Sequence, residues 1–573
     1  DQYLGRPQFQ NPEWEPVELE PLRTRRIVPV YPLTKGIGPQ RMRQVMRQAV
    51  EQWAPKVAEP LPQALRRRLG LYPLPQALAQ AHFPDSQESL GRARRRLVFD
   101  ELFLLQLGML GTRRQRQAEP GTPIPTNREA LDAFAAGLPF ALTAAQGRVI
   151  AEIAADVARP QPMTRLLQGD VGSGKTAVAA AAMLLAVRAG RQAALMAPTE
   201  ILAEQHARSL GELLAAAGVR VGLLTGSTPP AEREQRYAEL ADGRAQVVVG
   251  THALIQAGVR FHDLGLAVVD EPHRFGVEQR GALRAKGGNG GPAPAGAPHL
   301  LVMSATPIPR TLALSLYGDL DLSTLDEMPP DRQEIKTYWL KPGQRERAYR
   351  FVRKQVQAGR QAFIICPLVE ESDKSEAKAA TAEFERLQQH IFPDLKLGLV
   401  HGRMRPADKE AAMRAFYAGE HDVLVATSVI EVGVDVPNST VMLIEGANRF
   451  GLAQLHQFRG RVGRGEHQSF CLLLADDGYE GGGERLAALE QSNDGFALAE
   501  RDLELRGPGE FFGQRQSGLP ELRLASLLDL PLLEMARAEA GQLLESDPEL
   551  ARPEHRLLRQ KLDAFWSQAA EVS

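Results

Sequence analysis

Cysteine is almost missing from this chain: two occur in 573 residues, Cys366 and Cys471, each inside an apolar run (FIICPL and SFCLLLA). That excludes a disulfide scaffold and any cysteine-rich zinc site, and it suits a reducing cytoplasm. Long hydrophobic runs are missing too. No stretch approaches the about 18 uninterrupted apolar residues of a membrane span, which excludes a membrane-spanning helix. The amino terminus, DQYLGRPQFQ, has neither a basic start followed by an apolar run nor a Met, so no signal peptide is expected and the chain reads as cut. Charge of one sign is not in excess, and a net charge of −2 names no partner, because a neutral protein can be basic on one face. Lysine is scarce, supplying 12 of the 68 basic residues and leaving 56 arginines. The guanidinium fork suits phosphate contacts, but a general arginine bias is read first as background composition. The runs Arg66–Arg68 and Arg94–Arg96 are read as solvated helix faces, with DNA contact the weaker alternative.

What is present is ordinary for a globular protein: 43% hydrophobic and 24% charged residues, in a length that implies roughly four compact units. From Gly36 to about Leu110 apolar residues recur at helical spacing, as in QRMRQVMRQAVEQW and RRRLVFDELFLLQLGML. The polar, Pro-rich RRQRQAEPGTPIPTN then marks a boundary. Short apolar strands alternating with amphipathic helices follow: RLLQGD, AALMAPT, VGLLTGS, QVVVGT, LAVVDE and LLVMSAT. After about Asp331 the alternation restarts with AFIICPL, LKLGLVHG, DVLVATS, TVMLIEG and SFCLLLAD. That rhythm predicts an α/β fold of two parallel sheets with crossover helices. The tract GGNGGPAPAGAP at 287–298 is expected to be a mobile surface loop, and beyond Gly481 the chain reads helical.

The strongest motif is GDVGSGKT, Gly169 to Thr176, after a strand and before an Ala-rich helix. Gly169, Gly172 and Gly174 let backbone N–H groups close around phosphate oxygens, and the helix amino end adds partial positive charge. Lys175 reaches the β- and γ-phosphates of ATP, and Thr176 offers its hydroxyl to Mg2+. LAVVDEPH puts Asp270 and Glu271 at the carboxyl end of an apolar strand, where Asp270 would hold Mg2+ through water and Glu271 would orient or deprotonate the attacking water. Upstream, the Gln146 amide can pair with an adenine edge, and Phe140 could pack beside the base. No metal-ligand spacing links the histidines, so no catalytic metal beyond Mg2+ is expected.

GDVGSGKT, APTEILAEQH, GTHAL, DEPH, MSATPIPR, ATSVIEVGVDVP and HQFRGRVGRG stand in the order of superfamily-two helicase motors. MSATPIPRTLALSLYGDLD and SNDGFALAERDLELRGPGEFFGQRQSG further resemble the RecG family of bacterial branch-migration helicases, and the similarity runs from about Pro29 to the carboxyl end. The resemblance implies two tandem RecA-like motor domains, at 126–330 and 331–480. It also implies a helical linker region at 29–125 and a translocation hairpin with helical region at 481–573. The family's amino-terminal wedge of OB type is expected to be largely lacking, its last strand alone fitting into residues 1–28. Where the family reads DEQH this chain has Pro272 before His273, which leaves Asp270 and Glu271 in place but puts coupling through His273 in doubt.

HQFRGRVGRG places Arg461 and Arg464 three apart, which predicts one face of a helix just past a turn. An arginine finger must enter a cleft and cancel charge on the transferred phosphoryl group, and a second domain can deliver it on closure. Gln457, one turn earlier, would contact the γ-phosphate. Gly433 and Asp435 resemble the family's loop coupling ribose and DNA contacts, and Ser304 and Thr306 sit where hydrolysis is linked to domain motion. By the same resemblance Pro198, Thr199, Thr225, Gly226, Thr251, His252, His401 and Gly402 track the DNA backbone. Arg485, Arg506 and Gln516 pin the hairpin to the loop after it. The function implied is an ATP-dependent double-stranded DNA translocase that remodels stalled forks and branch-migrates Holliday junctions. It would act as a monomer in the cytoplasm at the nucleoid, with branched DNA and single-stranded-DNA-binding protein as partners and no membrane. The rivals are a transcription-repair coupling translocase, for which no polymerase-binding domain is found, and an ATP-gated protein that only binds branched DNA. Intact Lys175, Glu271, Arg461 and Arg464 argue against the latter.

Overall fold

The computed structural model describes residues 2–3, 6–7, 27–33, 36–271, 281–283, 285–286, 296–305, 320–330, 332–367, 373–427, 436–476, 482–510, 520, 522–526 and 529–570. The chain forms two compact units, one of Asp1–Arg114 with Gln516–Ser573, the other of Gln115–Arg515.

In the first unit Gln2–Tyr3 pairs antiparallel with Arg6–Pro7, and helices α1 (Pro39–Trp53), α2 (Gln63–Arg68), α3 (Leu74–His82) and α4 (Gln87–Ala118) follow. Phe99, Leu102, Phe103 and Leu107 recur at three and four spacing and form the buried stripe of α4. The run Arg94–Arg96 does not present one solvated face: Arg94 and Arg95 are exposed, but Arg96 is fully buried. Its guanidinium pairs with Asp100 at 2.8 Å and with Glu59 at 2.5 Å, the charge compensation that burial of an arginine demands.

The second unit holds two parallel sheets. After α5 (Arg128–Gly137) and α6 (Ala144–Val157) come β1 (Thr164–Gly169), α7 (Lys175–Arg188), β2 (Gln192–Met196), α8 (Glu200–Ala215), β3 (Val221–Leu224) and α9 (Pro230–Ala241). β4 (Val247–Gly250), β5 (Leu264–Asp270), β6 (His299–Ser304) and β7 (Asp321–Leu325) complete the first sheet. Its order is β3-β4-β2-β5-β6-β1-β7. The central strands are buried along their whole length because helices cover both faces of a parallel sheet. α7 is Ala-rich and buried from Ala177 to Val187, as a helix without a polar face must be.

The second sheet is built from β8 (Lys336–Leu340), α10 (Arg345–Gln357), β9 (Gln361–Ile365), α11 (Asp373–Arg386), β10 (Leu397–Val400), α12 (Pro406–Tyr417), β11 (Val423–Ala426), β12 (Ser439–Ile444), α13 (Leu452–Arg459) and β13 (Phe470–Leu474). Its order is β8-β13-β12-β9-β11-β10. The chain is therefore α/β with two RecA-like parallel-sheet halves. Beyond them α14 (Gly483–Gln491) and α15 (Gly495–Glu510) form a helix-turn-helix. α16 (Leu530–Ser546) and α17 (Arg556–Ala570) belong to the first unit, where the Trp566 indole N–H donates to the Leu104 carbonyl of α4. No described helix is long and apolar enough to cross a membrane.

Candidate active site

β1 delivers the phosphate loop. Gly172 and Gly174 take φ of +84° and +85°, a region that L side chains rarely adopt. A Cβ on Gly172 would meet the flexible end of the Arg332 side chain, so it is the positive φ rather than space that calls for glycine here. Gly174 also caps α7, whose free backbone N–H groups and dipole suit an anion. Lys175 Nζ donates to the carbonyls of Gly169 and Asp170 at 2.8 and 2.9 Å. Burial pushes its ammonium below the ordinary lysine range, while the carboxylates of Glu271, Asp270 and Asp170 pull the other way. Gln146 is a brace for this loop. Its Oε1 accepts from Thr143 N–H in a capping box, and its Nε2 donates to Ser173 O, both at 2.9 Å. The amide assigned to an adenine edge is thus engaged at both ends within the protein, and Phe140 stands 38% exposed.

β6 lies between β5 and β1, so Asp270 and Gly169 end two strands apart, roughly 10 Å, at the same carboxyl edge. His206 on α8 donates from Nε2 to Asp270 Oδ2 at 2.8 Å. Burial would raise the Asp270 carboxyl, but the His206 contact and Lys175 hold it below the usual value. Glu271 moves the opposite way, pushed up to about 7 by burial and by the neighbouring Asp270 charge. Its φ of +53° is rare for a side-chain-bearing residue and re-aims the carboxylate where the strand ends, while its N–H stays bonded to Met303 O at 2.9 Å.

The second half contributes Arg461 and Arg464, though not from a helix. α13 stops at Arg459, Gly460 caps it, and Gly463 at φ +78° turns the chain, so both arginines sit on the loop that follows. The two glycines end the helix that the three-residue spacing predicts. The loop still brings them in. A cleft of about 590 Å³ is lined by Gly172, Lys175, Thr176, Asp270 and Glu271 from the first half and by Arg461 and Arg464 from the second. Arg461 is close enough to lower the Glu271 carboxyl, and Arg464 to oppose the Lys175 charge. Gln457 is half-buried on α13 and does not line this cleft. The donor set, the φ-positive cradle and the carboxylate pair fit the phosphates of ATP, and Thr176 and Asp270 stand where they would hold Mg2+ if it is bound.

The nucleic-acid candidates gather at the same sheet edge. Pro198 and Thr199 follow β2, Thr225 and Gly226 follow β3, and Thr251 and His252 follow β4, three adjacent strands. His401 and Gly402 follow β10 at the edge of the second sheet. Some of these side chains are committed within the protein: Thr199 accepts from Leu202 N–H as the α8 cap, and Thr225 is buried beside Thr228. Gly226, His252 and Gly402 are exposed. Arg485 donates to Phe450 O at 3.2 Å, and Ser304 ends β6. Pro272, His273, Thr306, Gly433, Asp435, Gln516 and the side chain of Arg506 lie outside the described residues, as does most of the 287–298 tract.

Residues 143–314 match the DEAD/DEAH box helicase family, and residues 344–466 match the helicase conserved C-terminal domain. Residues 492–572 match the C-terminal part of domain 3 of the ATP-dependent DNA helicase RecG. The chain is 48% identical over 540 residues to ATP-dependent DNA helicase RecG of Bacillus subtilis, covering 94% of this chain and 78% of that protein. It belongs to the RecG family. It is also 50% identical over 547 residues to the RecG of Synechocystis sp., covering 94% of this chain but 65% of that one, so it spans about two thirds of this relative's length. A solved structure of RecG bound to a three-way DNA junction superposes with a TM-score of 0.75 at 43% identity, over 89% of this chain and 66% of that one.

One expectation is corrected: the wedge is not largely lacking, because residues 1–52 match the RecG wedge domain. Sequence reasoning also missed residues that complete this RecG-family site. His206 at Asp270 and Arg332 at the Val171 carbonyl both pair across long separations, while His456, which does not line the cleft, reaches Asp170 from outside it. His206 does stand inside the quoted APTEILAEQH, seven residues after the α8 cap and so two turns along the same face, the one signal that was available.

Proposed function

We propose that this chain is the motor of an ATP-dependent translocase on double-stranded DNA that remodels stalled forks and branch-migrates Holliday junctions. The observation that carries the reading is the single cleft to which one sheet contributes Lys175, Asp270 and Glu271 and the other Arg461 and Arg464. An arginine pair delivered by a second sheet is what hydrolysis coupled to domain closure requires.

In this reading Lys175 gives up its carbonyl contacts to the β- and γ-phosphates. Thr176 and Asp270 would hold Mg2+, which would supply positive charge beside the phosphate oxygens. His206 keeps Asp270 ionised and oriented. Glu271, raised toward neutrality, accepts a proton from the attacking water near pH 7. Arg461 and Arg464 cancel charge on the transferred group when the halves close. Movement passes to DNA lying on the loops after β2, β3, β4 and β10, with Arg485, Arg506 and Gln516 holding the hairpin to its loop. The relative solved on a three-way junction supports branched DNA as the substrate class. We place the protein in the cytoplasm at the nucleoid, acting as a monomer, with single-stranded-DNA-binding protein as a partner. The test is its ATPase rate with linear duplex, single strand and four-way junction. Stimulation by duplex and junction above single strand is expected, and equal rates with and without DNA would reject the reading.

A further inference from the structure

The halves also meet through residues that do not line the cleft. Asp170, inside the phosphate loop, accepts at Oδ1 from His456 Nε2 at 2.8 Å and from Val171 N–H at 2.6 Å. His456 Nδ1 accepts from Arg459 Nη2 at 2.8 Å. Arg459 Nη1 in turn donates to the carbonyls of Leu489 and Ser492, both at 2.8 Å, where α14 ends and the turn to α15 begins. A guanidinium has only donors, so Nδ1 must be the acceptor and the ring proton sits on Nε2. The imidazole is therefore neutral and directional, a spacer between a buried cation and a buried anion.

All three side chains are buried. The backbone carbonyl of the same Asp170 accepts from Lys175 Nζ. This one residue is thus held on one side by the lysine that meets phosphate and on the other by a chain leading to the hairpin. A second observation places the two elements in direct contact: a Cβ on Gly460 would lie 3.1 Å from Val171 Cβ, so the end of α13 rests on the phosphate loop itself.

We propose that His456 and Arg459 are positioning residues that transmit the state of the phosphate loop to the α14–α15 hairpin, an inference that rests on the motor reading above. When Lys175 exchanges the Asp170 carbonyl for phosphate, Asp170 shifts. The shift passes through one imidazole and one guanidinium to the two carbonyls that fix the hairpin turn. Neither residue touches nucleotide in this scheme.

The test uses the full chain with His456→Leu, which removes both ring contacts, and His456→Gln, whose amide offers one donor and one acceptor. Four quantities are read: affinity for a fluorescent ATP analogue, duplex-stimulated ATPase, third-strand displacement from a triplex on linear duplex, and hydrogen exchange over residues 486–500 with and without a non-hydrolysable ATP analogue. His456→Leu is expected to bind and hydrolyse ATP yet displace about tenfold fewer third strands per ATP, the scale of one lost charge-assisted hydrogen bond. The nucleotide-dependent change in exchange at the hairpin should vanish with it, and His456→Gln should restore part of both. Displacement per ATP unchanged from the parent chain overturns the proposal. So does a proportional fall of hydrolysis and displacement in both variants, which is the behaviour of mere structural support. Should the Leu variant not fold, the Gln variant and Arg459→Lys decide by the same ratio. Failure of the motor reading looks different, because the unsubstituted chain would then show no DNA-stimulated hydrolysis at all.

Discussion

Gly174→Ala should impair ATP binding for two separable reasons. The residue holds φ at +85°, where an L side chain costs about 1–2 kcal/mol. The new Cβ would also lie 2.2 Å from Gln146 Nε2, too close to coexist. Gln146 is the far end of a flexible side chain, so no backbone need move. Its amide is buried and bonded at both ends, however, and displacing it from Ser173 O strands a polar group at about 1–3 kcal/mol. Together these make the cradle about 2–5 kcal/mol harder to hold, a loss of roughly 30-fold to several thousand-fold in affinity, because ATP binds only the formed loop. Titration with a fluorescent ATP analogue reads it directly. The double variant Gly174→Ala, Gln146→Ala separates the causes: the steric part disappears and the φ part stays, so the two effects must be less than additive. An unchanged affinity in Gly174→Ala, or strict additivity in the double variant, would refute the reasoning.

Three further expectations concern chemistry and stability. Lys175→Ala and Glu271→Gln should each abolish DNA-stimulated ATPase, with Glu271→Gln still binding ATP; half the parent turnover in either would contradict the roles given. Arg464→Ala should lower kcat by about 10³ while nucleotide affinity stays near the parent value, and a change confined to KM would make it a binding group instead. His299 accepts Met163 N–H at Nδ1 and donates from Nε2 to Thr122 O; burial, aided by the Arg191 charge, lowers its pKa from 6.5 to about 4 against the opposing pull of the Thr122 contact. A depressed folded pKa means stability is full above about 6.5 and lost as pH falls toward 4, here by about 3 kcal/mol. Melting curves at pH 7 and 4.5 should show a smaller acid drop in His299→Gln than in the parent chain, and equal drops would exclude this histidine as a cause.

Local pattern made much of the fold legible. Each strand that the apolar runs predicted lies inside one of the two sheets, because buried parallel strands need continuous Val, Leu, Ile and Ala. Of the strands in these two sheets, the two it did not announce, Asp321–Leu325 and Lys336–Leu340, carry half-exposed, mixed side chains. A strand that mixes polar with half-exposed residues leaves no apolar run behind.

The phosphate loop and the carboxylates after β5 could be read from residues alone, since their chemistry demands those types at that spacing in one continuous segment. Which side chains meet them could not. His456 reaches Asp170 from 286 positions away, and no local period encodes a contact between two halves. The loop course of Arg461 and Arg464, the closure of Gln146 onto the phosphate loop, and the return of α16 and α17 to the unit of α1–α4 were likewise decided in three dimensions. Composition and periodicity determine which segments become helix or strand and which motif can hold phosphate. Partners across the chain are chosen by packing and by the need of each buried charge for a counterpart, and those constraints exist only once the sheets have assembled.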